Sequence, residues 1–107
     1  MLEQILKDNG VCLDHLKYVD EIQGNAIIQV NPDGQNCILL FGGSNQCVTQ
    51  EQIKDTLSHF EAGDYLLLQN EVNNISEIVN EGYDRGMKIV LNPSPYNELI
   101  DTVDLDK

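Results

Sequence analysis

A carboxylate and two amides follow a run of apolar residues in the stretch YLLLQNE, residues 65–71. The run is typical of a buried strand, and it ends abruptly in Gln69, Asn70 and Glu71. In open α/β sheets, ligands bind beyond the carboxyl ends of the strands. A carboxylate at that edge can accept hydrogen bonds from a polyhydroxylated substrate. Glu71 is therefore a candidate ligand contact.

A structural role for Glu71 is the alternative. The residue precedes a predicted helix, and a carboxylate near a helix N-terminus is stabilising without any ligand. A second apolar run, MKIVLN, ends in Asn92, whose amide could orient a loop or brace the same edge. Position alone leaves ligand contact and helix capping equally open, because the edge of a sheet permits a site without requiring one.

Other combinations of reactive side chains give weaker signals. Cys12 and His15 have metal-ligand spacing on a helical turn, but no second pair accompanies them. The stretch GGSN, residues 42–45, lacks the Lys and the Ser or Thr of a P-loop and is interpreted as a bend. No Ser, His and Asp combination has the context of a hydrolase. The residues thus support no nucleophilic catalysis and leave metal binding by Cys12 and His15 as a distant alternative.

Composition limits the partners and the compartment. The chain has 107 residues and a formal net charge of −12, which predicts one domain whose field repels nucleic acid and anionic membranes. No run approaches the roughly 18 apolar residues of a membrane helix, and the N-terminus does not resemble a signal peptide. The cysteines form no C-x-x-C motif and cannot all pair, so reduced thiols in the cytoplasm are expected. They are Cys12, Cys37 and Cys47.

Two β-rich runs, NAIIQV and NCILLF, flank the turn residues NPDG and predict a β-hairpin over about residues 24–42. Alternation places apolar side chains on both faces, so we expect cover on both sides from the same domain, a ligand or another subunit. An interior position in a larger sheet is the alternative. The predicted faces comprise Cys37, Leu39 and Phe41 on one side and Ile38, Leu40 and Ile27 on the other.

The rest of the pattern predicts helices and a parallel strand pair. A capping box of Thr49 and Gln52 begins a helix over about residues 50–60, with a buried stripe of Ile53, Leu57 and Phe60.

A strand, a helix and a second strand then form a βαβ unit over about residues 64–92, with the two strands parallel. Asn73 or Asn74 is the predicted cap of that helix, which runs to about Arg85. Short helical segments are also expected at the N-terminus and over Tyr96 to Ile100. The buried positions predicted for the crossover helix are Ile75, Ile78, Val79 and Gly82.

The order of these segments resembles the middle of a ribokinase-type carbohydrate kinase, from about Leu2 to Val103. In that family one strand ends in Leu-Gln-x-Glu, the next in Leu-Asn-Pro-Ala-Pro, and the hairpin exit carries Gly-Ala-Asn. Here the matching stretches are LQNE at residues 68–71, LNPSP at 91–95 and GSN at 43–45. Each motif alone is weak, but three in the right order with the right elements between them are fairly specific. The predicted fold class is α/β, a partial ribokinase-like, Rossmann-type layered fold with a β-hairpin lid and a parallel βαβ unit.

The resemblance implies a function for two features. Glu71 is similar to the family's glutamate that contacts the sugar, which favours ligand contact over capping. The hairpin resembles the lid strands that close over the sugar and, in many members, clasp a second subunit, which predicts a homo-oligomer through the hairpin. A ribose-like sugar, ATP and Mg²⁺ are implied for the intact family enzyme.

Departures from the family pattern limit what this chain is expected to do. The family's early sugar-binding strand, its Asn-x-x-Glu motif and its Gly-Ala-Gly-Asp segment, with the aspartate that activates the sugar hydroxyl, have no counterpart here. The stretch EAGD, residues 61–64, opens a strand and not a helix, so Asp64 is not predicted to be catalytic.

We therefore interpret the chain, residues 1–107, as a single partial domain of an ATP-dependent sugar kinase, cut from a longer protein or an incomplete gene product. It is expected to contribute the lid and one sugar contact, to bind no nucleotide or metal alone, and to be inactive alone. The alternative is a non-catalytic sugar-binding or dimerisation module derived from the same fold.

Overall fold

Short helices and strands follow one another in the predicted order. The computed structural model describes residues 2–107. Two 3-10 turns, Gly43–Gln46 and Glu98–Thr102, accompany the regular elements. No helix in the described range is long and apolar enough to cross a membrane. The elements are α1 (Leu2–Asp8), β1 (Asn25–Val30), β2 (Asn36–Phe41), α2 (Gln50–Leu57), β3 (Tyr65–Gln69), α3 (Ile75–Asp84) and β4 (Lys88–Asn92).

Strands β3 and β4 pair in parallel, and α3 is the crossover between them. The register places Leu66 opposite Ile89 and Leu68 opposite Leu91, which directs these four side chains to the helical side. Helix α3 lies close to the sheet at Gly82, where a Cβ would come within 2.6 Å of Leu66 Cδ2. The predicted fold class, an α/β arrangement with a hairpin and a parallel βαβ unit, is confirmed.

The hydrophobic core lies between this sheet and helices α2 and α3. All four positions predicted for α3 are buried, as are Ile53 and Leu57 of α2. The 3-10 turn at Glu98–Thr102 closes one end of the core. The buried apolar residues are Ile53, Leu57, Leu68, Ile75, Ile78, Val79, Met87, Ile100 and Val103.

The prediction that Phe60 completes the buried stripe of α2 is wrong. The helix ends at Leu57, and the following amides of His59 and Phe60 donate to carbonyls three residues back, which tightens the last turn. The ring of Phe60 leaves the core face, is 39% exposed, and packs near the ring of His15.

The hairpin protrudes from this core. Every residue of β1 and β2 is exposed, and the radius of gyration of 15.8 Å exceeds the roughly 13 Å of a compact chain of this length. The register also corrects one face assignment, because Ile27 pairs with Leu39 while Ile28 pairs with Ile38. One face therefore carries Ile27, Leu39, Cys37 and Phe41, and the other carries Ala26, Leu40, Ile28 and Ile38.

Candidate functional site

The base of the hairpin is fixed by close backbone contacts. The backbone amide of Ser44 donates to the carbonyl of Ile22 at 2.8 Å, and this bond joins the segment before β1 to the segment after β2. Gly43 has a φ of +49°, and a Cβ there would overlap the carbonyl oxygen of Ile22. A Cβ on Gly24 would come within 2.7 Å of the carbonyl oxygen of Gly42. Glycines 24 and 43 thus permit the approach that closes the base.

The hairpin exit is in turn tied to the loop that follows β3. Gln46 Nε2 donates to the carbonyl of Glu71 at 2.9 Å. The Asn73 side chain accepts from the Val48 amide at 2.9 Å and donates to the Val48 carbonyl at 2.8 Å. Asn74 donates to the same carbonyl at 2.7 Å. The hairpin base and the carboxyl end of β3 therefore form one hydrogen-bonded unit.

These contacts also revise the predicted cap of α3. Asn74 occupies the N-cap position, but it lies in the left-handed region at φ 57° and its side chain makes no capping hydrogen bond. Its side-chain amide instead donates to the Val48 carbonyl. The predicted capping box of Thr49, by contrast, is present in part, because the Thr49 hydroxyl accepts from the Gln52 amide at 3.1 Å.

A third set of bonds joins the ends of β3 and β4. Asn70 is only 5% exposed, and its side-chain amide donates to the Pro95 carbonyl at 2.8 Å and to Asn97 Oδ1 at 3.1 Å. Its backbone amide donates to the Ser94 carbonyl at 3.1 Å. Asn97 also caps the 3-10 turn by accepting from the Leu99 amide, so that this helical segment begins two residues later than predicted.

A cleft of about 410 Å³ lies between the hairpin base and these strand ends. This volume is within the range of small-molecule sites. Glu71 lies on its lining, as expected for a residue at the carboxyl edge of β3, whereas Asn92 does not line it and instead accepts from the Ser94 amide. The lining residues are Gly24, Asn25, Ala26, Leu40, Phe41, Gly42, Asn45, Gln46, Asn70, Glu71, Pro95 and Asn97.

The chemistry of the cleft is polar but nearly uncharged. Glu71 is the one ionisable side chain of the lining, which otherwise offers amides and apolar groups. The neighbouring Tyr96 donates its hydroxyl to the Asp101 carboxylate at 3.0 Å, and this hydrogen bond raises the pKa of Tyr96 above its usual range. The phenol thus stays neutral beside the cleft. Such a surface suits a ligand with hydroxyl groups better than an anion.

The lining of the cleft does not suit the phosphates of a nucleoside triphosphate. The lining of the cleft contains no Lys or Arg, and residues 2–107 contain no group of three or more His, Cys, Asp or Glu that could hold a metal ion. Asp64 lies before β3, at the opposite end of the strand from Glu71, and its carboxylate accepts from the Glu61 amide at 2.8 Å. This places Asp64 in a turn away from the cleft.

The alternative metal pair, Cys12 and His15, has other surroundings in the structure. Cys12 is exposed, and the His15 ring packs against the ring of His59 at a tilt of 48°, with centroids 4.7 Å apart. The two residues do not belong to a convergent set of ligands within residues 2–107.

Sequence reasoning identified Glu71 but missed the amides around it. Three of these amides come from separate segments of the chain, namely Gln46, Asn70 and Asn97. No local sequence pattern predicts their hydrogen bonds, which join residues 25 or more positions apart. A weak signal was present for Asn70, because an amide directly after a buried strand must find partners if it too becomes buried.

The fold and the cleft together define a partial layered α/β unit in which a β-hairpin faces the carboxyl ends of a parallel strand pair. Comparison with known proteins specifies the family. The chain is 32% identical to the ribokinase of Staphylococcus aureus and 28% identical to that of Bacillus subtilis, over 84% and 88% of its length. These matches cover 32% and 33% of the relatives, so the chain spans about a third of their length. No family model matches the chain.

Solved structures agree with the sequence relatives. The ribokinase of Cryptococcus neoformans in complex with ADP superposes with a TM-score of 0.73 and 32% identity, covering 90% of this chain and 30% of that one. The ribokinase of Thermotoga maritima gives a TM-score of 0.69 and 30% identity, covering 96% and 34%. The chain therefore has the sequence and the fold of a segment of the ribokinase family, as the motif resemblance predicted.

A pair of glycine substitutions tests the hairpin base. Gly43→Ala should lower the free energy of unfolding by more than about 2 kcal/mol, because the added Cβ meets both an unfavourable φ and the Ile22 backbone. Gly34→Ala, at a φ of +80° with open space around it, should cost only about 1 kcal/mol. Urea unfolding followed by circular dichroism measures both, and equal losses would contradict the close contact at Gly43.

Proposed function

We propose that this chain is the lid and part of the sugar pocket of a ribokinase-like sugar kinase. The observation that carries the proposal is the cleft between the hairpin base and the carboxyl ends of β3 and β4, with Glu71 on its lining. Its relatives are ribokinases, and each of the three motifs that resemble that family contributes a residue to the lining of this cleft.

The two sides of the cleft suit the two kinds of surface that a sugar has. Ala26 and Leu40 pair across the hairpin and present an apolar surface, which can cover the C–H face of a sugar ring. The opposite side presents Glu71 and amides, which can bind hydroxyl groups. Movement of the hairpin over the bound sugar would exclude water, as lids do in phosphoryl-transfer enzymes.

The complete reaction is proposed for the intact protein. There the sugar hydroxyl would attack the terminal phosphate of ATP, and catalysis would require positioning and neutralisation of the phosphates by donors and Mg²⁺. The described residues contribute to binding and orienting the sugar and not to phosphate transfer. Alone, the chain is expected to bind a ribose-like sugar and to leave ATP unchanged. The free thiols of its cysteines favour a cytoplasmic location.

Glu71→Gln tests the sugar contact. The substitution keeps the shape of the side chain and removes its charge, so it should weaken ribose binding by about tenfold or more, measured by calorimetry. Glu77→Gln is the matched control, because Glu77 lies in the first turn of α3 and does not line the cleft. It should leave ribose affinity unchanged.

The same pair separates contact from capping. If Glu71 acts only on the dipole of α3, both substitutions should lower the melting temperature alike and neither should change sugar binding. Unaltered ribose affinity in Glu71→Gln would contradict the proposed contact. The absence of ribose binding by the unmodified chain would contradict the proposed pocket in this chain.

A second function, self-association through the hairpin, is favoured by the face that points away from the cleft. This face carries Ile27 and Leu39, both exposed and neither on the cleft lining, on strands whose outer edges have no partner within residues 2–107. Apolar faces and open edges of this kind promote pairing between chains. We propose that two copies bury these faces against each other.

Leu39→Thr tests this association. Threonine keeps the β preference of the strand and removes apolar area, so the dissociation constant of the oligomer should rise by roughly tenfold or more in sedimentation experiments. Leu105→Thr is the control, because Leu105 is 76% exposed and lies outside the hairpin. Equal effects of the two substitutions, or a wild-type chain that stays monomeric at high concentration, would contradict the proposal.

A further inference from the structure

Asn70 is the buried polar side chain next to the candidate sugar contact. It is 5% exposed, and its side-chain amide has two acceptors, the Pro95 carbonyl at 2.8 Å and Asn97 Oδ1 at 3.1 Å. A buried amide with both donors satisfied is stabilising, whereas the same group with its partners removed is costly. The geometry therefore fixes the orientation of this side chain strongly.

Glu71 has little support of its own. Its carboxylate receives no hydrogen bond from the residues that the structure describes, and its backbone carbonyl is held only by the exposed side chain of Gln46. Asn70, the preceding residue, is therefore the main constraint on the position of the Glu71 backbone. A ligand contact requires its supporting residues to be locked by packing and hydrogen bonds.

We propose that Asn70 is a positioning residue that joins the ends of β3 and β4 and thereby holds Glu71 at the cleft. Through Asn97 the same bond reaches the 3-10 turn at Glu98–Thr102, so three segments meet at one side chain. This proposal rests on the proposed function in one respect, which is that Glu71 contacts a sugar. Asn70 is part of the cleft lining, yet its polar hydrogens are used by the protein itself.

The direction of the hydrogen bond provides a sharp test. Asn70 is the donor to Asn97, which accepts also from Leu99. Asn70→Asp removes both side-chain donors and sets a carboxylate against two acceptor oxygens. Asn97→Asp keeps an acceptor for both Asn70 and Leu99. Both substitutions add one negative charge to the same cleft, so Asn97→Asp is the matched control for charge.

The experiment combines hydrogen exchange by NMR with ribose calorimetry on the full chain. In Asn70→Asp, exchange of the residue 70 backbone amide, which is bonded to the Ser94 carbonyl, should accelerate by about tenfold or more. Ribose affinity should fall by about tenfold while Glu71 itself is intact. In Asn97→Asp the exchange rate should stay within about twofold of that in the unmodified chain, and the loss of ribose affinity should be smaller than in Asn70→Asp.

Each outcome decides the proposal. Equal exchange rates and equal ribose affinities in the two variants would overturn it, as would protection retained in Asn70→Asp. If Asn70→Asp does not fold, hydrogen exchange in the unmodified chain tests the proposal instead. Its Asn70 side-chain amide protons should exchange much more slowly than those of the exposed Asn36, and equal rates would overturn the proposal. If the unmodified chain binds no ribose, the proposed function fails, while the exchange measurements still decide the role of Asn70.

Discussion

The hydrogen bonds between the hairpin exit and the loop after β3 are the constraint on which the site depends. The hairpin buries none of its residues, so the hydrophobic effect contributes little to its position within this chain. Asn73 instead bonds both the amide and the carbonyl of Val48, much as a neighbouring strand would. Gln46 adds a bond to the carbonyl of Glu71. The hairpin is therefore oriented by polar contacts at its base.

This arrangement explains why the cleft is rich in amides. Asn and Gln side chains can donate and accept at once, and they can join irregular backbone segments without introducing charge. In a chain of net charge −12, neutral linkers avoid adding repulsion around Glu71. The same property makes the cleft suitable for hydroxyl groups and less suitable for phosphate, which is consistent with the proposed sugar pocket.

The sequence predicts the regular elements well and the connections between them poorly. Local signals suffice for the hairpin, because NPDG and two β-rich runs lie side by side, and for α3, because its apolar spacing matches the buried face. Asn74 occupies the predicted N-cap position, but its side chain makes no capping bond. This departure and the wrong burial of Phe60 have one cause, because each side chain has a distant partner, Val48 and His15 respectively, that local periodicity does not include.

Apolar side chains are also exposed on the β3–β4 sheet. The outer face of the β3–β4 sheet presents Leu67, which is 75% exposed, together with Tyr65 and Val90. Parallel sheets are normally covered on both faces. The two-sided apolar hairpin and the outer face of this sheet are therefore the largest apolar surfaces that the described residues leave without cover.

The central claim is that the hairpin base and the carboxyl ends of the parallel strands together form a sugar-binding cleft. Titration of ¹⁵N-labelled chain with ribose, followed residue by residue by NMR, tests it most directly. We expect saturable shifts concentrated at Ala26, Leu40, Asn45, Glu71 and Asn97, with Leu105 unaffected. Shifts confined to one side of the cleft, shifts centred elsewhere, or none at all would contradict it.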